Sequence, residues 1–377
     1  MKIVFTCGGT AGHINPAVAL ARMFQERVPG VELLFVGADG GMETRLVPRE
    51  GYNIRTVTIT NFQRSLSPAS LRHNLGTLRN LSRSRRQAAA ILDDFQPDLV
   101  VGTGGYASFP VVREAARRGI PTAVHESNAC PGLTTKMLSK HVSRVMVGFE
   151  ESRQHYPRPD RVVVTGTPVR GDFFALTRAE ARAKLGLTGE KPVVLSYWGS
   201  LGAQEMNRQM VDFIRLECGA GCPFHHIHGA GKRYYPGVLE GLKRAGVRLE
   251  NHPSVDVREY IYDMAVDMAA ADLVICRAGA STISELEAIS KPSILVPSPN
   301  VTANHQEKNA RVLAERGAAV LMLEQESSGQ KLYDRVKGLL DRPGELESMR
   351  RKLGEMAVQN ANEQIYQVLS GLLKGVG

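Results

Sequence analysis

The chain has 377 residues, of which 43% are hydrophobic, and its formal net charge is +9 at neutral pH. This length suffices for two domains with separate cores, and the composition excludes a disordered or fibrous protein. Residues 1–165 hold 21 Lys and Arg against 13 Asp and Glu. Almost all of the excess positive charge therefore lies in the N-terminal half and indicates an anionic partner there.

The N-terminal residues run from Met1 to Cys7 directly into a Gly-rich turn. They lack the basic start, longer apolar segment and cleavage site of a signal peptide. No segment approaches the roughly 20 apolar residues that span a bilayer. The five cysteines are scattered and odd in number, which is typical of reduced thiols. We therefore expect a cytoplasmic protein.

Short β-branched runs alternate with helical patterns along the chain, as in parallel α/β domains. In the first half the predicted strands are Ile3–Thr6, Leu33–Val36, Ile54–Ile59, Leu99–Gly102, Thr122–His125, Val145–Val147 and Val162–Thr165. In the second half they are Val193–Ser196, Phe224–His228, Val247–Glu250, Leu273–Cys276, Ser293–Val296 and Ala319–Met322. The sequence predicts two Rossmann-like domains, residues 1–166 and 167–342. A helical tail, residues 343–377, is expected to cross back toward the first domain.

Gly-rich segments stand where predicted strands end and helices begin, two in each half. They are Cys7–His13, Gly102–Tyr106, Trp198–Ala203 and Arg277–Thr282. Such turns expose backbone N–H groups and helix N-termini, which favour a phosphate at the carboxyl ends of the strands. None is a G-x-G-x-x-G dinucleotide motif or a Walker A loop, which disfavours a dehydrogenase and a nucleoside triphosphatase.

Two side chains near these turns are candidates for chemistry. His13 follows the first turn, where a histidine acts either as a general base or as a helix cap or phosphate ligand. Glu285 lies one helical turn beyond Ser281, where a carboxylate either accepts ribose hydroxyls or only favours the helix dipole. The residues alone leave both alternatives open.

A group of potential zinc ligands occurs in the second half. Its members are Cys218, Cys222, His225, His226 and His228. The spacing matches no standard zinc finger, and His226 and His228 alternate as they do along a strand. We therefore predict no metal.

Arginines and leucines interleave over residues 64–86. The arginines are Arg64, Arg72, Arg79, Arg83, Arg85 and Arg86, and the leucines are Leu66, Leu71, Leu75, Leu78 and Leu81. The leucine spacing predicts an amphipathic helix. It either contacts anionic lipid or packs its leucines on the sheet beneath a solvated basic face. Nothing resembles a nucleic-acid-binding module, so no nucleic-acid partner is expected.

Longer motifs occur in a specific order along nearly the whole chain. They are Gly8–Pro16, Gly104–Tyr106, His125–Asn128, Gly166–Arg170, Gly199–Ala203, Arg277–Glu285 and Asn304–Ala310. Together they closely resemble the MurG family of peptidoglycan synthesis. The resemblance implies a GT-B fold with a cleft between two domains. It also implies inverting transfer of N-acetylglucosamine from its UDP form to the C4 hydroxyl of the muramyl sugar of lipid I, which gives lipid II.

The resemblance also assigns roles to individual residues. His13 matches the proposed base, and Asn128 lies near the donor sugar and the reacting centre. The residues implied to bind UDP-N-acetylglucosamine are Thr10, Gly12, Asn128, Arg170, Ser200, Ile261, Glu285, His305 and Gln306. The residues implied to bind the acceptor pyrophosphate are Gly9, Thr10, Gly104, Gly105 and Tyr106. The N-terminal domain would bind lipid I at the inner face of the cell membrane, without a cofactor, beside other cell-wall synthesis proteins.

Two residues depart from the family pattern. Ala11 replaces a glycine, and Trp198 stands where relatives carry a glycine, so that it either narrows the donor loop or points outward. Other interpretations are a diacylglycerol or natural-product glycosyltransferase, a UDP-sugar epimerase, or a non-catalytic membrane scaffold. The segments His125–Asn128 and Asn304–Gln306 disfavour the other enzymes, and intact His13, Asn128 and Glu285 disfavour a scaffold.

Overall fold

The structure is a computed structural model that describes residues 1–60, 68–199, 202–358 and 360–374. For residues 68–79, Thr302 and Lys374 only the backbone is described. The chain divides into two compact units. The N-terminal unit comprises Met1–Val169 and Val358–Gly377, and the C-terminal unit comprises Arg170–Ala357.

The N-terminal unit is built on a seven-stranded parallel sheet with the strand order β3-β2-β1-β4-β5-β6-β7. The strands are β1 (Lys2–Thr6), β2 (Glu32–Ala38), β3 (Ile54–Val57), β4 (Leu99–Gly102), β5 (Thr122–Glu126), β6 (Arg144–Val147) and β7 (Val162–Val164). The helices are α1 (Ala11–Arg27), α2 (Glu43–Arg49), α3 (Pro68–Phe95), α4 (Ser108–Arg117) and α5 (Leu133–Leu138).

The C-terminal unit is built on a six-stranded parallel sheet with the strand order β10-β9-β8-β11-β12-β13. The strands are β8 (Val193–Tyr197), β9 (His225–Gly229), β10 (Val255–Arg258), β11 (Leu273–Cys276), β12 (Ser293–Leu295) and β13 (Val320–Leu321). The helices are α6 (Arg178–Lys184), α7 (Gln204–Gly219), α8 (Tyr235–Arg244), α9 (Met264–Ala270), α10 (Ala280–Ala288), α11 (His305–Glu315), α12 (Gly329–Leu340) and α13 (Pro343–Met356). A last helix, α14 (Ala361–Lys374), belongs to the N-terminal unit.

The central strands are buried on both faces, which explains why they read as continuous apolar runs. All four residues of β4 and all four of β11 are buried. Helices cover both sides of such a parallel sheet, because each crossover must return the chain over one face. In the N-terminal unit α1 and α14 cover one face and α3, α4 and α5 the other. The predicted α/β architecture of two Rossmann-like domains is confirmed.

The strand order reverses between β1 and β4 in one sheet and between β8 and β11 in the other. The carboxyl ends of strands on either side of such a reversal form a crevice in which ligands bind. The four Gly-rich segments follow β1, β4, β8 and β11. Each pair of segments therefore flanks the reversal in its own sheet.

One predicted strand is wrong. Residues Leu249–Asn251 form a 3-10 turn, and the strand is instead Val255–Arg258. Val247 closes the end of α8, because its N–H donates to the carbonyl of Leu242 at 2.9 Å. The segment Val255–Arg258 pairs with β9 and buries alternate residues, as expected of an edge strand with one face on the core.

The C-terminal tail is divided between the two units. The sequence predicts one tail over residues 343–377, whereas α13 lies in the C-terminal unit and α14 in the N-terminal unit. The chain changes unit first between Val169 and Arg170, three residues past the predicted boundary, and again between Ala357 and Val358. Helix α14 inserts Ile365 and Leu369 into the core beside α1. Among the described helices, none is both long and apolar enough to cross a membrane.

Candidate active site

His13 lies in the first turn of α1, at the carboxyl end of β1. Its Nδ1 atom is 2.9 Å from the carbonyl oxygen of Gly8 and 3.4 Å from the hydroxyl of Thr10. A carbonyl only accepts hydrogen bonds, so the neutral imidazole holds its proton on Nδ1 and leaves Nε2 as an acceptor. The hydroxyl of Thr103 donates to the carbonyl of His13 at 2.7 Å and fixes this turn against the loop after β4.

Helix α1 begins at Ala11, directly after the turn, so that Pro16 falls in its second turn. Its missing N–H then removes one backbone hydrogen bond of the helix. Gly12 and His13 therefore lie in the first turn of α1, where the positive end of the helix dipole favours an anion.

The two Gly-rich loops of the N-terminal unit touch, and their glycines permit that contact. Gly104 has φ +109°, and a Cβ atom there would lie 2.6 Å from Cδ2 of His13. Gly105 has φ +82°, and a Cβ atom there would lie 2.2 Å from the carbonyl oxygen of Gly8. Any side chain at these positions would push the loop after β4 away from His13. The lack of a side chain at Gly104 and Gly105 therefore allows the two loops to approach each other.

The buried carboxylate of Glu43 supports the first Gly-rich loop, a role that the sequence did not indicate. Its side chain is fully buried, accepting from the backbone N–H of Gly9 at 3.1 Å and of Ala38 at 2.8 Å. A Cβ atom on Gly8, Gly37 or Gly41 would collide with this carboxylate. The only signal in the sequence is the pair Gly40-Gly41 ahead of it.

The other candidates for the acceptor pyrophosphate lie in the same loops, next to the donor candidate Gly12. Gly9 and Thr10 are exposed at the turn, and Gly12 is exposed on the first turn of α1. Tyr106 is partly buried and lies beside Gly9, because a Cβ there would be 3.7 Å from its ring. Burial, and then the charge of Glu43, raises the pKa of the Tyr106 phenol. The phenol is therefore a hydrogen-bond donor at neutral pH.

Asn128 follows β5 and is oriented by a buried carboxylate. Oε1 of Glu126 accepts from Nδ2 of Asn128 at 2.9 Å and from its backbone N–H at 3.2 Å, while Oε2 accepts from the N–H of Gly132 at 2.9 Å. His125 is fully buried, and its Nε2 is 2.9 Å from the carbonyl of Gly166. Burial lowers the pKa of His125, which fits a structural role in this loop.

The donor-site candidates of the C-terminal unit come from the carboxyl ends of its strands. Glu285 lies on α10 after β11, partly buried. Burial raises its pKa to about 7, opposed by the positive charge of Arg170. Arg170 is exposed, lies 3.3 Å from Asp172 and stacks at 5.5 Å over the ring of Phe173. The structure thus brings a carboxylate and a guanidinium within electrostatic range of one another.

His305 and Gln306 begin α11, beyond β12. The two residues before them, Ala303 and Asn304, have φ values of +56° and +51°. The left-handed region is costly for residues other than glycine, and such positions cluster at ligand sites. Oε1 of Gln306 accepts from the N–H of Ser298 at 2.9 Å, which fixes this turn. No sequence pattern signals this pair of left-handed residues.

Ile261 and Ser200 are the remaining donor candidates, and Trp198 and Gly199 precede Ser200 in the chain. Ile261 is buried after β10, and its side chain packs over Gly229 at the end of β9. Ser200 lies outside the described residues. Gly199, beside it, is exposed with φ +81°. Trp198 does not point outward: it is 3% exposed, belongs to the core cluster and has Arg277 stacked 5.8 Å over its ring.

Part of the predicted basic helix lies within the described residues, as the C-terminal portion of α3. Side chains 68–79 and residues 61–67 lie outside the described part, and with them Arg64, Arg72, Arg79, Leu66, Leu71, Leu75 and Leu78. Arg83 and Arg86 are exposed, while Arg85 lies 3.3 Å from Glu114. On α5, Leu133 is 65% and Met137 45% exposed, which is unusual for large apolar side chains one helical turn apart.

The histidines expected along a strand do lie on β9, with polar partners. Nδ1 of His226 is 2.8 Å from Glu217, and Nε2 is 2.8 Å from the hydroxyl of Ser196. His228 lies 2.7 Å from Ser196 and 3.2 Å from Asn207, and burial lowers its pKa to about 3. Within the described residues, the group with metal-ligand geometry is Cys218, Cys222 and His252.

Comparisons with known proteins show what the chain is similar to. Residues 3–147 match the glycosyltransferase family 28 N-terminal domain, and residues 193–365 match its C-terminal domain. The UDP-N-acetylglucosamine–N-acetylmuramyl-(pentapeptide) pyrophosphoryl-undecaprenol N-acetylglucosamine transferase of Acetivibrio thermocellus is 41% identical, over 99% of each chain. The protein with the same description from Thermoanaerobacter sp. (strain X514) is 41% identical, over 99% of this chain and 100% of its own. Acinetobacter baumannii MurG shares the fold, with a TM-score of 0.75 and 24% identity over 98% of this chain and 99% of its own.

Proposed function

The chain belongs to the family of UDP-N-acetylglucosamine–N-acetylmuramyl-(pentapeptide) pyrophosphoryl-undecaprenol N-acetylglucosamine transferases, and we propose that it performs this transfer. The donor is UDP-N-acetylglucosamine and the acceptor is lipid I, undecaprenyl-pyrophosphoryl-N-acetylmuramyl-pentapeptide. The product is the β-1,4-linked disaccharide of lipid II. The observation that carries the proposal is 41% identity over nearly the whole chain. The candidate loops support it with a histidine held in the tautomer that a base requires.

The reaction moves one proton and exchanges one bond at the anomeric carbon. The C4 hydroxyl oxygen of the muramyl sugar attacks that carbon from the face opposite the diphosphate, and the configuration inverts. Nε2 of His13 accepts the hydroxyl proton while the bond to the UDP oxygen breaks, so that UDP leaves with the electron pair. Nδ1–H remains donated to the Gly8 carbonyl at 2.9 Å, which orients the ring and stabilises its positive charge.

Donor binding falls to the C-terminal unit. Arg170, Ser200 and the backbone at Gly199 would contact the diphosphate, replacing a metal ion as the stabiliser of the leaving group. Glu285 would accept the ribose hydroxyls, and the main chain at Ile261 would read uracil. His305 and Gln306 would face the sugar hydroxyls. The resemblance also assigns three residues of the N-terminal unit, Thr10, Gly12 and Asn128, to the donor.

Acceptor binding falls to the N-terminal unit. Gly9, Thr10, Gly104, Gly105 and Tyr106 lie at the N-termini of α1 and α4. The positive ends of both helix dipoles point toward these loops, an arrangement that suits a pyrophosphate. Residues 1–165 contain 21 basic and 13 acidic residues. This excess of positive charge supports an anionic acceptor on this unit.

A lipid-linked acceptor requires contact with the inner face of the cell membrane, and we propose a peripheral one. Leu133 and Met137 are exposed one helical turn apart on α5, beside exposed Lys136 and Lys140. Apolar side chains among cations suit the boundary of an anionic bilayer. Binding to anionic vesicles should weaken with salt and in Leu133→Ser/Met137→Ser, while transfer to a short-chain acceptor stays unchanged. If this variant bound vesicles as well as the unmodified chain, the membrane contact would lie elsewhere. Proteins of cell-wall synthesis are further candidate partners.

The deciding experiment measures transfer of labelled N-acetylglucosamine from its UDP form to a short-chain lipid I analogue, with and without EDTA. We expect equal product in both arms, because the donor site consists of backbone N–H groups and Arg170. Product only without EDTA would contradict metal independence. No product, with donor binding verified by calorimetry, would contradict lipid I as the acceptor and leave the donor site standing.

A further inference from the structure

Two cysteines and a histidine converge in the C-terminal unit, away from the candidate donor residues. Cys218 is the penultimate residue of α7, Cys222 follows four residues later, and His252 follows the turn Leu249–Asn251. The two Sγ atoms and one imidazole nitrogen all lie within 4.8 Å of one another. Sγ of Cys222 is 3.5 Å from Nδ1 of His252.

The separation between Cys222 and His252 fits a tetrahedral metal site, and Cys218 lies within reach of the same position. Zinc lies about 2.3 Å from cysteine sulfur and about 2.0–2.1 Å from histidine nitrogen, so neighbouring S and N ligands stand about 3.6 Å apart and two sulfurs about 3.8 Å apart. We propose that Cys218, Cys222 and His252 bind a thiophilic divalent cation, zinc by preference, with water as the fourth ligand. Two sulfurs and one imidazole are a donor set that favours zinc over magnesium or calcium.

The backbone holds Cys222 in position at a conformational cost. Gly221 and Cys222 have φ values of +76° and +50°. The N–H of Gly221 donates to the carbonyl of Cys218 at 3.1 Å, and the N–H of Cys222 donates to the carbonyl of Glu217 at 2.9 Å. These bonds close the end of α7 and turn the second thiol back toward the first. A left-handed cysteine is a strained position of the kind that accompanies ligand sites.

The charge around the thiols favours a cation. Glu217 is fully buried, and its Oε1 has no hydrogen-bond partner within the described residues. Glu217 acts electrostatically on both thiols. A cation bound at the two sulfurs would therefore be attracted by this buried carboxylate.

The sequence spacing concealed this group, because its histidine is not among those next to the cysteines. His226 and His228 are held by Glu217, Ser196 and Asn207. His252 approaches from 30 residues beyond Cys222. It is partly exposed, whereas Cys218 and Cys222 are 9% and 7% exposed, so the cation would enter from the imidazole side.

The position in the sheet assigns the cation a structural role. Cys222 precedes the start of β9 and His252 precedes the start of β10. The donor loops after β8 and β11 lie at the opposite, carboxyl ends of the parallel strands. The cation would thus tie the end of α7 to the segment before β10 without touching the donor site. Transfer activity is accordingly expected to survive its removal, so this inference stands or falls separately from the proposed function.

The experiment uses the full chain, reduced and freed of metal, and titrates Co²⁺ with zinc as competitor. We expect one cobalt per chain with thiolate-to-cobalt absorption, displacement by zinc, and a melting temperature that rises with zinc. Cys222→Ser and His252→Ala should each weaken binding at least about 100-fold, because each removes a direct ligand. Cys130→Ser is the matched control: its sulfur lies 3.6 Å from Nε2 of His155, a pair without the cluster's second thiol.

Binding equal to that of the unmodified chain in both cluster variants would overturn the proposal, as would loss of binding in Cys130→Ser. Absence of stoichiometric binding by the reduced chain would also overturn it. A Cys218–Cys222 disulfide that forms readily, in a chain whose reduced form binds no cobalt, would identify a redox pair instead. Circular dichroism of His252→Ala, whose side chain is partly exposed, distinguishes lost binding from lost folding.

Discussion

The imidazole of His13 and the carbonyl oxygen of Gly8 are 2.9 Å apart, in one loop after β1. This single contact decides which ring nitrogen carries the proton, because the carbonyl accepts and Nδ1 must donate. The free acceptor is then Nε2, the atom that a general base needs.

Two substitutions of His13 distinguish its hydrogen bond to the Gly8 carbonyl from its role as a proton acceptor. In His13→Asn the shorter amide keeps a donor for the Gly8 carbonyl but has no basic nitrogen, whereas His13→Ala keeps neither. We expect both variants to lose about 10²- to 10⁴-fold in kcat, the usual contribution of a general base. Donor affinity, measured by calorimetry with UDP-N-acetylglucosamine, should stay within about twofold. Activity retained in His13→Asn would exclude His13 as the base and favour the phosphate-binding alternative.

Gly104 tests the same ring from the other side. Gly104→Ala places a methyl group 2.6 Å from Cδ2 of His13 in a left-handed backbone, so that either the ring or the loop must move. We expect kcat/KM for transfer to fall about 100-fold, as when reacting groups are displaced by about 1 Å. Donor binding should be unchanged.

The matched control for that variant is Gly119→Ala. Gly119 also has positive φ, +75°, but no atom of the described residues lies within 4 Å of the added Cβ. The control therefore carries the backbone strain without the collision and should lose less than about threefold in transfer. Equal losses in the two variants would attribute the effect to general destabilisation.

The strands and the order of the loops were predictable because each depends on a few neighbouring residues. Leu99–Gly102 and Leu273–Cys276 are apolar runs bounded by turns, and buried parallel strands require that pattern. The edge strand Val255–Arg258 was missed, because an exposed face interrupts its apolar run with Asp256 and Arg258. The fold class was predictable from the buried apolar strands alone, because they recur in both halves of the chain.

The supporting contacts of the site were not predictable, because they join residues that the sequence holds apart. Glu43 reaches Gly9 only because β2 pairs with β1 and returns the chain beneath the first loop. His252 meets Cys222 only after β9 and β10 pair. The sequence predicted that Trp198 narrows the donor loop or points outward, whereas its side chain is buried in the core of the C-terminal unit. Such contacts follow from the register of the sheet, which no local motif encodes.

A buried cluster of charges gives a stability prediction in the C-terminal unit. Asp272 accepts from Arg182 at 2.6 Å, from Arg178 at 2.8 Å and from the backbone N–H of Val193 at 2.8 Å. The Arg182 side chain is 7% exposed, so Asp272→Asn would leave a buried cation unpaired. We expect a loss of about 3–5 kcal/mol in the free energy of unfolding, measured with urea.

The control for Asp272 is an exposed pair in the same unit. Lys184 and Asp263 are 2.9 Å apart, with side chains 57% and 55% exposed. Asp263→Asn should change the free energy of unfolding by less than about 1 kcal/mol, because solvent screens such pairs. Similar losses in the two variants would show that burial does not set the value of the Asp272 pair.

Glu285 predicts a pH dependence of donor binding. Burial raises the pKa of its carboxyl to about 7 in the unliganded chain, and only the ionised form accepts from both ribose hydroxyls. Affinity for UDP-N-acetylglucosamine should therefore rise as pH increases from 6 to 8 and level off above that. Glu285→Gln and Glu285→Ala should each weaken binding about 10- to 100-fold at pH 8, the value of a charged hydrogen bond, and Glu285→Gln should flatten the pH profile.

Thermal stability tests the raised pKa of Glu285 independently, because raising the pH should lower stability while it increases donor affinity. The folded-state pKa of Glu285 is about 7, above its ordinary 4.5, so the folded chain holds this proton more tightly than the unfolded one. The stability that the residue contributes is complete below pH 4.5 and is lost as pH rises through 7. Glu285→Gln, which has no proton to lose, should therefore melt at a higher temperature than the unmodified chain at pH 8 while binding donor more weakly. A variant that both melts lower and keeps the pH profile of donor binding would assign Glu285 to the helix dipole instead of the ribose.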